Sequence, residues 1–560
     1  MIFAQMLILK KNDRVFHKII SSKHLAFYLV SSYAVLIRRM QKGKNMDPKK
    51  PRIKLPKNKK QKSLINSFAE EKEKKTKQPA MSEEALHQLF ANCSDVHFQR
   101  MEFGQHGSDV VLISCEGMID KELLNQSVYL KLDHFFQDNK ETPITNELVL
   151  QSLHLPDLAL ATDKKKIIGD VFSGKLLLLF KTNQLLFSAD IAKRPQRNPE
   201  ETKTEVIVKG PRDGFIEDLA INIALVRKRL RTSSLNVEKY EVGKRSRTNV
   251  ALLFMDDIAS KHIVDQVRHC LKNIDVDAIY SGNQLMELID KKPYLMPKHS
   301  YTGRPDFAVK SLVSGRCVIL VDGTAYANIV PINLFYLLKS SEDGEYSPVY
   351  SSFERLWRVV GILFAAYLPA FWVAITTFHQ NQLPLSLLAP VVESRRGLPL
   401  PTGLEALVIL MMFELFREAE LHMPEAIGST LSVVGALIIG EAAIEARLTS
   451  PAMMVVIAVS TISTFTFVNQ TLVGAVGLLR IVTIIFASLF GLYGDILSFF
   501  FIVVYVCNIR TFGFPYFEMF ANLNLKNALS AIIRLPAGQK TQRPEMIFSK
   551  DNTPKGKKTK

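Results

Sequence analysis

An α/β soluble N-terminal region of two small subdomains, followed by an all-α polytopic membrane domain, is the fold class that this 560-residue sequence predicts. Two observations carry it. From about Ser82 to Asp343, short apolar runs alternate with amphipathic stretches, the pattern of a mixed or parallel sheet covered by helices. From Val359 to Ile509, long apolar segments replace the charged sequence: Val359 to Phe378 and Leu448 to Leu479 carry no formal charge. At ~1.5 Å per residue, ~20 such residues cross a ~30 Å hydrocarbon core.

Taken in order, residues 1–81 read as a disordered basic N-terminal arm. Between Lys42 and Lys62 ten Lys or Arg face the single acid Asp47, so this segment supplies +9 of the net +17. Interleaved prolines and few aromatics leave too little apolar surface to order it. A solvated arm near anionic lipid is the expectation, and nucleic-acid binding is not, because no aromatic stacking platform accompanies the charge. Leu25 to Ile37 is apolar but lacks a cleavage pattern, and Met46 is an alternative start. The five cysteines are scattered without CxxC spacing, which argues against a disulfide frame or a zinc site.

The first soluble subdomain, 82–200, contains a strand at Val110 to Cys115, a helix at Asp120 to Phe136 and a hairpin signal at Lys175 to Ile191. The second, 201–350, opens on a candidate structural turn at Gly210, Pro211 and Gly214. A helix from Phe215 to Leu230 follows, ending in Arg227, Lys228, Arg229 and Arg231, which read as a solvated end. Thr248 to Met255 is a buried strand, Ile258 to Asn273 a helix, and Val318 to Val330 a hairpin turned on Asp322-Gly323.

The transmembrane helical domain, 351–518, offers about four spans: Trp357 to Phe378, Ile427 to Ala446, Pro451 to Leu472, and Ile481 to Ile509, the last long enough to tilt or to break near Gly491 and Gly494. Leu404 to Leu415, edged by Glu405, Glu414 and Arg417, reads as an interfacial helix. The basic arm and the basic C-terminal tail, 519–560, place both termini on the cytoplasmic side, which requires an even number of crossings. Ser432, Ala436 and Gly440 form a small-residue face for helix packing, and Ala487, Gly491 and Asp495 repeat the spacing. That face serves either intrachain packing or a subunit contact. Glu441 and Glu445 are candidate pore or gating residues, with a helix end emerging among headgroups beside Arg447 as the other reading. Asp495 and Asn469 are further pore candidates, and Arg480 is expected to snorkel.

No phosphate-binding glycine loop, HExxH helix or GxSxG elbow occurs, so neither an enzyme nor a cofactor or metal site is expected. Four stretches, however, resemble a known family in its own order: GPRDGFIEDLAINIALVRKRL (Gly210 to Leu230), VDGTAYANIVPINLF (Val321 to Phe335), FREAELHMPEAIG (Phe416 to Gly428) and VVGALIIGEAAIEA (Val433 to Ala446). They are similar to the A subunits of GerA-type spore germinant receptors. Glu420 and His422 stand where that family has Gly and Arg, and Glu441 and Arg447 where it has Gln and Gly.

The resemblance implies a subunit of a nutrient-gated ion channel in the spore inner membrane, a homo-oligomer through this subunit. Its implied partners are a transporter-like B subunit and a lipoprotein C subunit. Two other readings stay open: a channel similar to stage V sporulation protein AF, acting downstream of nutrient sensing, and a non-conducting membrane scaffold.

Overall fold

The computed structural model describes residues 82–103, 108–139, 143–193, 209–290, 295–422, 440–517, 533–536 and 550. The basic arm, the linker around residue 200, most of the Ile427 to Ala446 stretch and most of the C-terminal tail lie outside them.

The first subdomain is a five-stranded sheet with helices on both faces. Helix α1 (Glu83–Leu89) leads into β1 (Val96–Phe103) and β2 (Ser108–Cys115). A helical segment capped by Asp120 passes through one π turn at Leu124–Val128 and continues as α2 (Tyr129–Asp138). Then come α3 (Asn146–Ser152), β3 (Ala159–Leu160), α4 (Lys164–Val171), β4 (Lys175–Phe180) and β5 (Leu185–Asp190). The strand order is β1-β2-β4-β5-β3, and every pair is antiparallel. The expected hairpin is present, with Phe180 opposite Leu185 across the turn.

The second subdomain repeats the plan. It runs α5 (Leu219–Arg229), β6 (Leu235–Val242), β7 (Thr248–Met255), α6 (Lys261–Lys272), α7 (Gly282–Asp290), β8 (Ser300–Thr302), α8 (Pro305–Val313), β9 (Cys317–Val321), β10 (Ala327–Val330) and a short α9 (Leu334–Leu337). Its order is β6-β7-β9-β10-β8, again wholly antiparallel. The mixed or parallel sheet expected from strand–helix alternation is therefore corrected in both subdomains. A parallel crossover uses one intervening helix. Here β2 reaches β4, and β7 reaches β9, through three each. β7 still reads as an unbroken apolar run because both faces are covered. Leu253 and Met255 pack toward α5 and α8, while Leu252 and Phe254 pack toward α6 and α7. Helix α5 starts four residues later than expected, because Asp218 caps it through the Ile221 N–H at 2.9 Å.

The helical part begins with α10 (Pro348–Phe378), 31 residues capped by Ser347 and containing Pro369. It continues with α11 (Leu385–Arg395), α12 (Thr402–Leu421), α13 (Pro451–Thr464) and α14 (Gln470–Asn508). Two of these helices, α10 and α14, are long and apolar enough to cross a membrane. Helix α14 is not straight. Gly491 has φ 62° and ψ −142°, outside the conformations open to a residue with a Cβ. The rings of Phe486 and Phe501 lie 6.1 Å apart, whereas fifteen residues of straight helix would separate them by ~22 Å. Leu472 and Val506, near opposite ends of the helix, share one apolar cluster. The segment is a helical hairpin with arms at 470–490 and 492–508, its tip packed on Phe378 and His379 at the end of α10.

Three expectations change with this geometry. The Ile481 to Ile509 stretch contains a chain reversal rather than a tilt. The Pro451 to Leu472 stretch is no single helix, since α13 ends at Thr464 and α14 restarts at Gln470. The Leu404 to Leu415 stretch belongs to α12, whose Ala406, Ile409 and Leu410 are buried among α10, α13 and α14 rather than lying along a surface. Gly403 sits against Ser488 near the hairpin tip and Glu414 meets Arg480 further back, so α12 runs from the tip toward the soluble subdomains. Helix α13 runs the same way: Ser450 contacts Glu405, and Gly361 lies against Thr466.

Candidate functional site

The bundle buries small and polar side chains among aliphatic ones such as Ile409, Leu410, Ile457 and Ile484, and turns many of its large apolar side chains outward. Gly361, Ala365, Ala366, Ala370, Ala374, Ala406 and Ala487 are buried, while Phe371, Met411, Ile462, Leu489, Phe490 and Phe500 are exposed. An apolar outer surface over a close-packed, partly polar interior differs from a water-soluble bundle and suits helices that pack closely in an apolar solvent.

Two buried polar centres lie inside. In the first, Arg480 of α14, 2 % exposed, donates to Glu414 Oε1 of α12 at 3.0 Å and to Ser460 Oγ of α13 at 3.2 Å. Ser460 in turn donates to the Ala365 carbonyl of α10 at 2.9 Å, and Arg417 pairs with the other Glu414 oxygen at 2.5 Å. The guanidinium on α14 thus bonds α12 and α13 directly and reaches α10 through Ser460. Arg480 does not snorkel, and the correction has a plain cause: an acid one helix away neutralises it inside the bundle.

The second centre is Glu405, fully buried in the first turn of α12. Its Oε1 accepts from the Thr449 hydroxyl (3.0 Å), the Ser450 N–H (2.7 Å) and the Ser450 hydroxyl (2.8 Å), tying together the N-terminal ends of α12 and α13. Those N-terminal half-charges stabilise the carboxylate, which meets no cation among the described residues.

The pore candidates do not converge in one chain. Glu441 and Glu445 are exposed on the helical stretch 440–445. Arg447 lies against Gly397, and among the described residues no ion pair joins it to Glu445. Asp495 is half-buried on the returning arm of the hairpin, with Oδ1 enclosed and unpartnered. Asn469 is consumed by structure: its side chain caps α14 through the Thr471 N–H at 3.0 Å and donates to Ser300 Oγ of β8 at 3.2 Å. Gly491 is the hairpin reversal and Gly440 abuts Met454. Ser432 and Ala436 lie outside the described residues.

At the candidate structural turn, Gly210 and Pro211 are exposed and Gly214 is buried. The Phe215 N–H donates to the Gly303 carbonyl at 2.8 Å and Asn222 accepts from the Ile216 N–H at 2.9 Å, so the irregular segment leading into α5 is held by the fold itself.

The sequence reading missed two buried ion pairs outside the bundle. Arg227, expected in a solvated helix end, is fully buried and grips Asp95 through Nε (2.7 Å) and Nη2 (2.8 Å), while its guanidinium lies 4.1 Å above the Phe172 ring. Burial opposes its charge, but Asp95 outweighs burial and holds Arg227 protonated above its ordinary range. This pair joins the two soluble subdomains, beside a parallel bridge between Cys93 and Val237. A signal existed: Leu219, Ile223 and Arg227 fall at i, i+4 and i+8 on the buried stripe of α5. The second pair is Asp343, fully buried before α10, accepting from Arg355 Nε at 2.7 Å and Arg358 Nη1 at 2.8 Å. Among the described residues, no group of three or more His, Cys, Asp or Glu is placed to hold a metal ion.

Two antiparallel sheets, apolar helices and charges paired between helices define a protein with an α+β head fused to a helical bundle of membrane-suited composition. The chain belongs to the GerA family of Bacillus/Clostridium spore germination proteins, whose family model matches residues 84–546. It is 37% identical over 481 residues to spore germination protein XA of Bacillus anthracis, covering 84% of this chain and 97% of that protein. It is 31% identical to the uncharacterized membrane protein YfkQ of Bacillus subtilis (85% and 92% covered) and 30% identical to spore germination protein KA of Bacillus subtilis (83% and 86%). Among solved structures, the N-terminal domain of the A subunit of the Bacillus megaterium spore germinant receptor GerK3 matches 45% of this chain and 95% of that one, at 25% identity and a TM-score of 0.36.

Proposed function

We propose that this chain is the A subunit of a spore germinant receptor, a component of an oligomeric, nutrient-gated ion channel in the spore inner membrane. Its partners in this reading are a transporter-like B subunit, a lipoprotein C subunit and membrane lipid, both termini are cytoplasmic, and the chain performs no catalysis. Family membership and relatives named as spore germination proteins support it. A relative named as a membrane protein and the outward-facing apolar surface of the bundle support insertion in a bilayer.

The observation that carries the reading furthest is a single apolar core running from β9 (Val318, Leu320) through α10 (Ala365, Ala366) to both arms of the hairpin (Val476, Val506). Through it, a change in the head alters helix packing directly. The interior of one chain is closed by packed alanines and the Arg480–Glu414 pair, which favours a path between copies, where the exposed Glu441 and Glu445 are available.

The test is ion flux from the purified chain in liposomes, with reversal potentials under a K+ gradient for Glu441→Gln, Glu445→Gln and Asp495→Asn. Lowered conductance or selectivity in an otherwise folded variant supports the acidic path, and unaltered currents in all three reject it. No flux from the unmodified chain leaves the scaffold reading. Flux and germination that persist without B and C partners favour the reading similar to stage V sporulation protein AF.

A further inference from the structure

Three arginines converge on the loop that precedes α10. Arg355 and Arg358 take the two carboxylate oxygens of buried Asp343, and Arg358 also donates to the Leu338 carbonyl at 2.8 Å. The third comes from the far end of the chain. Arg534 donates through Nη1 to the Tyr346 carbonyl (2.7 Å) and to Ser351 Oγ (3.3 Å), and through Nη2 to the Gly344 carbonyl (3.0 Å). Its backbone N–H donates to Ser352 Oγ at 2.9 Å. One residue therefore bonds both the loop leaving the soluble head and the first turn of α10. A second tail residue is anchored on the head: Lys550 donates through Nζ to the Asp256 carbonyl (2.7 Å) and carboxylate (3.2 Å), and through its backbone N–H to the Ile258 carbonyl (3.0 Å).

We propose that Arg534 and Lys550 form an intrachain clasp, in which Arg534 fastens the head-to-helix junction and Lys550 bonds the head at Asp256 and Ile258. The chemistry distinguishes this clasp from the pair beneath it. Asp343 is fully enclosed and both of its oxygens are occupied, so the Arg355 and Arg358 contacts persist as long as the junction is folded. Among the described residues Arg534 meets no acid there; it bonds neutral carbonyls and hydroxyls and is half-exposed. Such contacts open to water without leaving a charge buried, which makes them the releasable layer of the junction. The junction is also one of the places where the chain passes between the head and the helices. Fastening it stiffens that passage, and releasing it loosens the passage while the shared apolar core still holds head and bundle together. The inference concerns the junction alone and holds whether or not the chain conducts ions.

The test is hydrogen exchange on the full-length protein in lipid nanodiscs, following amides 344–358 at the junction and 248–255 in β7. The variants are Arg534→Ala, Arg534→Lys, Lys550→Ala and a chain ending at residue 532. The clasp predicts roughly tenfold faster exchange at the junction in Arg534→Ala and in the truncated chain, from the loss of a charge-assisted set of hydrogen bonds. It predicts a smaller rise in Lys550→Ala, a partial rise in Arg534→Lys, which keeps the charge but not the fork, and no change in β7. Junction exchange identical in the truncated and complete chains would overturn it. So would an equal acceleration in β7, which would make the tail an ordinary part of the head's stability.

Discussion

At the scale of single residues, the decisive feature is how charge is buried. Asp95 and Arg227 are both almost wholly enclosed, and removing one leaves the other charged and unpaired, at a cost of ~3–5 kcal/mol. Arg227→Met and Asp95→Leu alone should each lower the thermal midpoint of the head strongly, whereas the double variant recovers much of the loss because no orphan charge remains. Midpoints that add across the double variant would refute a direct pair. His299 gives the pH dependence. Burial alone lowers its pKa from 6.5 to about 4, so the folded head holds it neutral. Its contribution is present above pH 6.5 and is lost as pH falls toward 4, through a proton that the unfolded chain binds first; the loss amounts to ~2–3 kcal/mol. Denaturant titrations at pH 7 and pH 4.5 should show it, and His299→Gln should flatten the difference.

At the scale of elements, the hairpin at Gly491 is the sharpest claim. The folded backbone there is closed to other residues, and a Cβ would stand 3.0 Å from Phe378 Cβ, so Gly491→Ala should cost roughly 1–3 kcal/mol. Cysteines placed at Phe486 and Phe501 should crosslink with a short reagent, because the rings are neighbours only if the chain reverses. Failure to crosslink in the folded protein means a straight helix. What the sequence showed of these elements follows from how local each signal is. The β4–β5 hairpin was legible in its alternation and turn, and Gly491 was legible as a break. The angle of that break was not, because it depends on Phe378 and His379, more than a hundred residues away. Strand direction was hidden for the same reason, since an intervening helix does not report how often the chain crosses the sheet. Helix α12 was misplaced because Glu405 and Glu414 look like surface acids until Ser450 and Arg480 are seen to receive them. Glu441 and Glu445 gave a signal of charge in an apolar run, but their place in a path is set by neighbouring copies and not by this chain.

At the scale of the whole molecule, the question is whether head and bundle behave as one cooperative body. The apolar core that contains Val318 and Leu320 of β9 also contains Ala365 and Ala366 of α10 and Leu472, Val476 and Val506 of the hairpin. Cross-links of other kinds run along the same boundary: the Tyr505 hydroxyl accepts from the Leu295 N–H at 2.9 Å, and the Thr511 hydroxyl donates to the Ile332 carbonyl at 2.9 Å. With no apolar boundary between them, the second subdomain and the bundle should unfold together, in one calorimetric transition in detergent. Ala365 and Ala366 are the buried α10 members of that core, and Ser460 and Thr483 bond their carbonyls. Replacing both alanines with leucine inserts volume where none is free, at ~1–3 kcal/mol each, and wedges α10 away from α13 and α14. The expected outcome is a split of the single transition into two, the head melting near its former temperature and the bundle below it. A single transition moved down intact would show that the coupling passes instead through Asp343 and the polar contacts of the junction, a route that Asp343→Asn would then be expected to sever.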